Sequence, residues 1–314
     1  MSHHPPAASS FEALEADVMA RFAEADYGAA IALLDAHADR FEANRANTAY
    51  LRACIEARRG DQGTALATLR EALNEGIWYS EPVLRQSPSL QSLQGLPEYE
   101  TLVASFAARP PAESAAAEPV IVRAKGEARG LLVAFHGNGQ TARHAADAWR
   151  PMADAGWTVA APASSQMLHS SGAVWDDAGA ARADVRRQAP AIAELVPDDR
   201  PTLIAGFSLG GDVGLWAALS GTVSASRLLL IGPPAFLQDD PEWPGLLGRA
   251  PGVRLHVLLG SEDAAVSAAA IEAMVDALRG TGASVRLERV DGLAHAYPSI
   301  ERRRQVVEDL AAES

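Results

Sequence analysis

The first third of the chain repeats apolar residues at helical spacing. They recur every three or four positions in three stretches: Leu14, Val18 and Phe22; Ile31, Leu34 and Ala38; Leu66, Leu69 and Leu73. This spacing is that of one buried face of an α-helix. We therefore predict an all-α domain over residues 11–109, with helices covering about 11–107.

A weak internal repeat runs through this helical half. Residues 25–37 (ADYGAAIALLDAH) align with residues 60–72 (GDQGTALATLREA) at an offset of 35. The pattern resembles the tetratricopeptide repeat, whose period is about 34 residues. Two repeats are fewer than the roughly three that a free-standing stack needs. A plain helical bundle therefore stays open as the alternative.

The pattern changes after residues 110–119 (PPAESAAAEP), which lack periodicity and have the composition of a linker. Residues 1–10 are predicted to be a disordered tail, and 120–314 to form one α/β domain. Candidate strands in it are 120–124, 131–137, 157–163, 202–208, 227–233, 254–260 and 285–290, and candidate helices are 142–155, 178–195, 210–220 and 266–279. Apolar strands alternating with helices predict a mostly parallel sheet covered on both faces, with ligands at the carboxyl ends of the strands.

Composition narrows the class of partner. The formal net charge is −13 and no basic stripe is present, which argues against a nucleic-acid partner. No apolar stretch approaches the roughly 18 residues of a membrane helix, and the N-terminus has no signal-peptide pattern. The single cysteine, Cys54, fits a reducing compartment. We expect a cytoplasmic protein without a membrane span.

The candidate chemistry begins at GFSLG, residues 206–210, which matches the pattern G-x-S-x-G. An apolar strand precedes it and a helical stretch follows, as in a nucleophile elbow. Such a turn holds its serine in strained geometry, and Gly206 and Gly210 would supply the clearance that the turn needs. A glycine-rich packing turn without chemistry is the alternative. Ser208 is therefore the candidate nucleophile.

A serine nucleophile needs a base, and the base needs an orienting acid. Asp263 follows one late strand and His295 follows the last one, in the order Ser, Asp, His that is typical of this kind of fold. Glu262 and Asp291 are the rival acids. A surface loop histidine without a role is the alternative for His295.

An oxyanion formed during acyl transfer needs preorganised N–H donors. One is predicted to be the backbone N–H of Leu209, directly after the nucleophile. The other is predicted to be the backbone N–H of Asn138 in FHGNGQ (135–140), a turn shaped by His136 and Gly137. Gln140 is the alternative donor. No metal site is predicted, because His136 has no partner at ligand spacing.

Together, HGNG, GFSLGG, GSEDAAV and GLAH resemble the phospholipase/carboxylesterase branch of the α/β-hydrolases, which includes the acyl-protein thioesterases. The resemblance covers about residues 119–310. It also extends to the SSQ…W-D-D stretch (164–177), where members carry a loop beside the active site. It implies Gln166 and Trp175 as candidate substrate-binding residues. The helical half has no counterpart in this pattern.

The motifs and the resemblance predict a serine hydrolase acting on small-molecule carboxylic esters or thioesters, without a cofactor. A serine peptidase is one alternative. A protein-binding helical module with a vestigial hydrolase domain is another. The helical half would cap the site, mediate a homodimer or bind a protein partner.

Overall fold

The structure is a computed structural model that describes residues 11–37, 40–109, 118–196 and 200–312. The predicted tail (1–10) and most of the predicted linker (110–119) lie outside the described residues. The described chain divides into two compact units. The first lies within Met1–Ala112 and Met167–Gly172, and the second within Glu113–Gln166 and Ala173–Ser314.

The first unit is helical, as predicted. Its α-helices are α1 (Phe11–Ala23), α2 (Tyr27–His37), α3 (Arg45–Arg58), α4 (Gln62–Asn74), α5 (Glu81–Gln86) and α6 (Pro97–Ala107), with short 3-10 helices at Glu42–Asn44 and Pro88–Leu93. Its core is built from its own residues. Two of its largest fully buried side chains are Tyr79 and Phe106, whose rings meet edge to face at 5.3 Å.

The 35-residue repeat has a local structural counterpart. Ala25 and Gly60 both have a left-handed backbone, with φ of 58° and 90°. The aspartate that follows each of them accepts a hydrogen bond from a backbone N–H three residues on: Asp26 from Ala29 and Asp61 from Thr64. Such side-chain bonds cap the free donors of a helix N-terminus. The turn between α1 and α2 and the turn between α3 and α4 therefore have the same local structure. The assignment to the tetratricopeptide repeat stays a prediction.

The second unit contains a seven-stranded sheet. Its strands are β1 (Val120–Val122), β2 (Gly130–Phe135), β3 (Trp157–Ala161), β6 (Thr202–Phe207), β7 (Arg227–Ile231), β8 (Arg254–Gly260) and β9 (Ser284–Val290), in the order β1-β3-β2-β6-β7-β8-β9. Only β1 runs antiparallel to its neighbour. Strand β6, which ends directly before Ser208, lies in the middle of the sheet. The predicted mostly parallel sheet is confirmed.

Helices cover both faces of this sheet. They are α7 (Ala142–Trp149), α8 (Pro151–Asp154), α9 (Ala178–Ala193), α10 (Leu209–Leu219), α11 (Trp243–Leu247), α12 (Ala268–Gly280) and α13 (Ile300–Ala312), with a 3-10 helix at Phe236–Asp239. Side chains of β2 alternate between two clusters: Leu131, Val133 and Phe135 pack with α9–α12, and Leu132 and Ala134 pack with α7, α8 and α13. This alternation follows from the two-residue period of a strand.

Five elements after residue 120 were absent from the sequence-based prediction: helices α11 and α13, the 3-10 helix at Phe236–Asp239, and the two short strands β4 (Met167–His169) and β5 (Gly172–Ala173). Strand β4 lies in the segment Met167–Gly172, which belongs to the first unit. There Ser80 N–H donates to the Leu168 carbonyl (2.7 Å) and Ser170 N–H donates to the Trp78 carbonyl (2.9 Å). In the described part of the chain, every helix is too short or too polar to cross a membrane.

Candidate functional site

The strand-to-helix turn at Ser208 is strained. Ser208 has φ 51° and ψ −134°, and it is one of three non-glycine residues with positive φ in the described chain. Such a backbone costs on the order of 1–3 kcal/mol and persists only where the surroundings enforce it. It lies between the end of β6 and the start of α10, at the carboxyl edge of the sheet. This is the geometry of a nucleophile elbow.

The glycines around Ser208 permit this turn. A methyl group on Gly206 would lie 2.5 Å from the Gly210 carbonyl oxygen, and one on Gly210 would collide with the His136 carbonyl oxygen. A methyl group on Gly137 would lie 2.8 Å from the Phe207 ring. The elbow and the turn after β2 therefore meet backbone to backbone.

Three predicted residues form one hydrogen-bonded chain. Ser208 Oγ lies 3.0 Å from His295 Nε2, and His295 Nδ1 lies 2.8 Å from Asp263 Oδ2. The Asp263 side chain is only 2% exposed, while that of His295 is 25% exposed. Because a carboxylate only accepts, its pairing places a proton on Nδ1 and leaves Nε2 free to accept from the serine hydroxyl. Glu262 and Asp291 are exposed, and neither pairs with His295.

Two glycines that the sequence analysis missed allow the loops that carry Asp263 and His295 to lie close to the ends of the strands. A methyl group on Gly232, directly after β7, would lie 2.9 Å from Asp263 Oδ2 and 3.2 Å from His295 Nδ1. A methyl group on Gly260, the last residue of β8, would collide with the Leu293 carbonyl oxygen. Gly260 is the last residue of β8, and Gly232 is the first residue after β7. That position was the available signal, since a strand-end glycine often marks close backbone approach.

The two predicted oxyanion donors differ from the alternative donor in their hydrogen bonding within the protein. Among the hydrogen bonds of the described residues, the backbone N–H groups of Asn138 and Leu209 have no acceptor. The alternative donor, the N–H of Gln140, bonds to the Gly137 carbonyl at 3.1 Å. The Gln140 side chain also accepts from the Gly137 N–H at 3.1 Å, so it braces the turn from inside. This geometry favours Asn138 over Gln140.

Hydrogen bonds that involve side chains connect the turn after β2 to residues 175–177. Asn138 donates to Asp176 Oδ1 (2.6 Å) and accepts from the Trp175 N–H (3.0 Å), and Trp175 Nε1 donates to the His136 carbonyl (2.9 Å). Both polar atoms of the Gln166 amide pair with the Asp177 backbone. The substrate-binding roles of Gln166 and Trp175 stay predictions.

His136 is fully buried, and its ring stacks on Trp175 with centroids 4.7 Å apart. Burial lowers the pKa of His136 to about 4, because the charged imidazolium is poorly solvated there. Because a carbonyl oxygen only accepts, the single proton of the neutral ring lies on Nδ1, which donates to the Gly137 carbonyl at 2.9 Å. His136 shapes the turn as a neutral ring. Among the described residues, no group of three or more His, Cys, Asp or Glu side chains could hold a metal ion.

The ring of His295 packs against an aromatic side chain. The Phe207 ring lies 4.9 Å from the His295 ring and 4.5 Å from the Tyr297 ring, centroid to centroid. The buried guanidinium of Arg303, on α13, lies 5.1 Å from the Tyr297 centroid and donates to the Pro298 carbonyl. Helix α13, which the sequence analysis did not find, therefore holds the loop that carries His295.

A pocket of about 250 Å³ opens beside the elbow. Its lining is mainly apolar and comprises Trp175, Asp176, Ala178, Ala181, Arg182, Leu209, Asp212, Val213, Trp216, Phe236, Leu237 and Asp240. Asp212 is 5% exposed, and its Oδ2 accepts from the Phe236 N–H (2.6 Å) and the Leu237 N–H (3.3 Å). Burial nevertheless raises the pKa of Asp212 to about 7.

Comparisons with known proteins agree with the fold. Residues 11–114 match the family model described as A/B hydrolase-like, N-terminal domain. An uncharacterized protein from Bacillus cereus ATCC 10987 is 22% identical, covering 95% of this chain and 98% of its own, with a TM-score of 0.52. TT1662 from Thermus thermophilus is 20% identical, covering 62% of this chain and 94% of its own, with a TM-score of 0.50.

Acyl-protein thioesterase 2 from Zea mays is also 20% identical, covering 62% of this chain and 97% of its own, with a TM-score of 0.47. No curated protein matches the sequence. The predicted fold, a mostly parallel sheet flanked by helices with a helical region before it, is confirmed.

Gly210→Ala tests the backbone contact at the elbow. We expect the free energy of unfolding to fall by roughly 3 kcal/mol, because the added methyl group meets a backbone oxygen that cannot move aside. Denaturant unfolding of the full chain measures this. Gly280→Ala is the matched control, since a methyl group there meets nothing within 4 Å. Equal unfolding midpoints for the two variants would refute the clearance argument.

Asp212→Asn tests the buried carboxyl. A folded-state pKa of about 7 lies above the ordinary value of 3.8, so the stabilisation from the bound proton is complete below pH 3.8 and is lost as pH rises through 7. The variant does not lose stability in this way, because an asparagine amide does not titrate in this pH range. Its stability relative to wild type should rise between pH 4 and pH 8, by at most about 4 kcal/mol. If the free energies of unfolding of Asp212→Asn and wild type changed in parallel with pH, the prediction would be wrong. Asp239→Asn, which changes an exposed carboxyl of the same loop, is the control.

Proposed function

We propose that this protein hydrolyses carboxylic esters or thioesters through an acyl-enzyme on Ser208. The observation that carries the proposal is the hydrogen-bonded chain from Ser208 through His295 to Asp263, built on a strained elbow. Motifs HGNG, GFSLGG, GSEDAAV and GLAH support placing the chain in the phospholipase/carboxylesterase branch. The fold is one that supports this chemistry.

In the first step, Ser208 Oγ forms a bond to the acyl carbon while its proton passes to His295 Nε2. The carbonyl oxygen gains the negative charge. The free N–H groups of Asn138 and Leu209 would bind that oxygen. Each such donor is typically worth about 3 kcal/mol of transition-state stabilisation. Asp263 fixes the tautomer of His295 and stabilises the imidazolium that forms.

In the second half of this step, the tetrahedral intermediate collapses. The bond from the acyl carbon to the leaving oxygen or sulfur breaks, and His295 returns its proton to that atom. Water then attacks the acyl-enzyme with His295 again as base, releasing the acid and regenerating Ser208. All groups needed for these steps belong to the chain itself.

Each of the two alternatives from the sequence is tested by one measurement. A vestigial hydrolase domain would not react with a fluorophosphonate probe, whereas a competent serine nucleophile forms a covalent adduct with it. Hydrolysis of graded p-nitrophenyl esters and acyl thioesters, compared with peptide substrates, then distinguishes an esterase or thioesterase from a peptidase. We expect labelling at Ser208, and ester or thioester cleavage well above peptide cleavage.

Ser208→Ala should remove ester hydrolysis and probe labelling while the fold persists. Alanine meets the same backbone strain as serine, so only the hydroxyl is lost. Loss of the nucleophile in such an arrangement costs up to about a millionfold in turnover. Ser224→Ala, an exposed serine beyond α10, is the matched control. Retention of a tenth of wild-type activity by Ser208→Ala at equal purity would refute the assignment.

Asp263→Asn should lower turnover by about four orders of magnitude, because the amide favours the wrong tautomer of His295. Glu262→Gln and Asp291→Asn should stay close to wild type, since both side chains are exposed and unpaired with His295. Steady-state kcat on one p-nitrophenyl ester measures all three variants. If Asp291→Asn or Glu262→Gln were the damaging change, the acid would have to be reassigned.

A further inference from the structure

The pocket beside the elbow lies on the acyl side of the site. The leaving group must lie next to His295, because His295 protonates it. Within the described chain, no residue of the loops that carry Asp263 and His295 lines this pocket. Leu209, whose N–H would bind the oxyanion, does line it. An acyl chain attached to Ser208 therefore has this pocket open to it on the side away from the base.

One buried polar atom of Asp212, a residue that lines this pocket, has no hydrogen-bond partner in the described chain. Asp212 Oδ1 is buried and makes no hydrogen bond among the described residues, whereas Oδ2 accepts from two backbone N–H groups. A buried acceptor left without a donor costs on the order of 1–3 kcal/mol. Asp212 follows Ser208 by four residues, or about 6 Å along α10. A short acyl chain spans that distance.

The charges around the pocket favour a donor group over an anionic group. Four charged side chains line it: Asp176, Arg182, Asp212 and Asp240. Arg182 is already paired with Asp240. Asp176 bonds to the neutral Asn138 amide. The wall therefore has an excess of carboxylate charge, and Asp212 lies among apolar side chains such as Val213 and Leu237.

We infer that this pocket selects acyl chains that carry a hydrogen-bond donor, a hydroxyl or an ammonium group, which bonds to Asp212 Oδ1. The inference deepens the proposed function and rests on it. The apolar wall of Trp175, Val213, Trp216 and Leu237 binds the methylene part of the chain. The donor at its end satisfies the buried oxygen. A terminal carboxylate would be repelled by the same atom.

The test compares p-nitrophenyl esters of four-, six- and eight-carbon acids that end in a methyl, hydroxyl, ammonium or carboxylate group. At pH 8, above the pKa of Asp212, the wild type should favour a hydroxyl or ammonium ester roughly tenfold in kcat/KM over the methyl ester of the best length. The carboxylate ester should be the poorest substrate. Equal or lower rates for both donor esters at every length would overturn the inference.

Asp212→Asn makes the test specific. Its amide oxygen can still accept from the Phe236 and Leu237 N–H groups, which turns a donating NH₂ toward the pocket. The preference for donor chains should disappear and shift to methoxy chains, which only accept. Asp239→Asn is the matched control and should keep the wild-type preference. An unchanged donor preference in Asp212→Asn would show that another group is responsible.

A binding measurement separates the two proposals. Calorimetric titration of Ser208→Ala with hexanamide and 6-aminohexanamide reports on the pocket without turnover, and the amine should bind about tenfold more tightly. If methyl esters are cleaved in a Ser208-dependent way but no donor preference exists in either assay, the inference alone fails. If no ester is cleaved, the proposed function fails, and the titration decides whether the pocket recognises donors.

Discussion

The site depends on one close approach of two backbones. The turn after β2 passes over the start of α10 so tightly that a single methyl group at Gly210 would collide with the His136 carbonyl oxygen. This contact lies between two neighbouring parallel strands, β2 and β6, whose carboxyl ends are in register. The close contact between this turn and the start of α10 therefore follows from sheet geometry and from the absence of a side chain at Gly210.

The remaining groups are positioned by packing at a distance from the chemistry. Tyr297 and Phe207 support the His295 ring, and Arg303 on α13 supports Tyr297. On the other side, Trp175 donates to the very carbonyl that Gly210 must avoid. Rigid apolar contacts thus hold a small set of hydrogen-bonding groups in place. Such preorganisation is what makes N–H donors effective for a developing charge.

The sequence predicted the strands of the sheet well because buried parallel strands are continuous apolar runs with turn residues at their ends. Ser208, Asp263 and His295, which form the hydrogen-bonded chain, could be found in the sequence for the same reason, since each follows such an apolar run. Helix α13 was missed because RRRQ interrupts its apolar face, although Arg303 is buried there. Gly232 and Gly260 were missed because their neighbours, Asp263 and Leu293, are distant in sequence. The free oxygen of Asp212 depends on the 235–237 backbone, which no local pattern predicts.

The short segment Met167–Gly172 changes how the chain is divided. It belongs to the helical unit although residues on both sides of it in sequence belong to the other. Strand β4 in it pairs with the backbone at Tyr79, and the His169 and Tyr79 rings meet at 6.2 Å. The polypeptide therefore passes from one unit to the other three times. Cleavage of the chain once near residue 112 would produce two fragments. The larger, C-terminal fragment would contain Met167–Gly172, a segment whose hydrogen bonds are made to the helical unit in the smaller fragment.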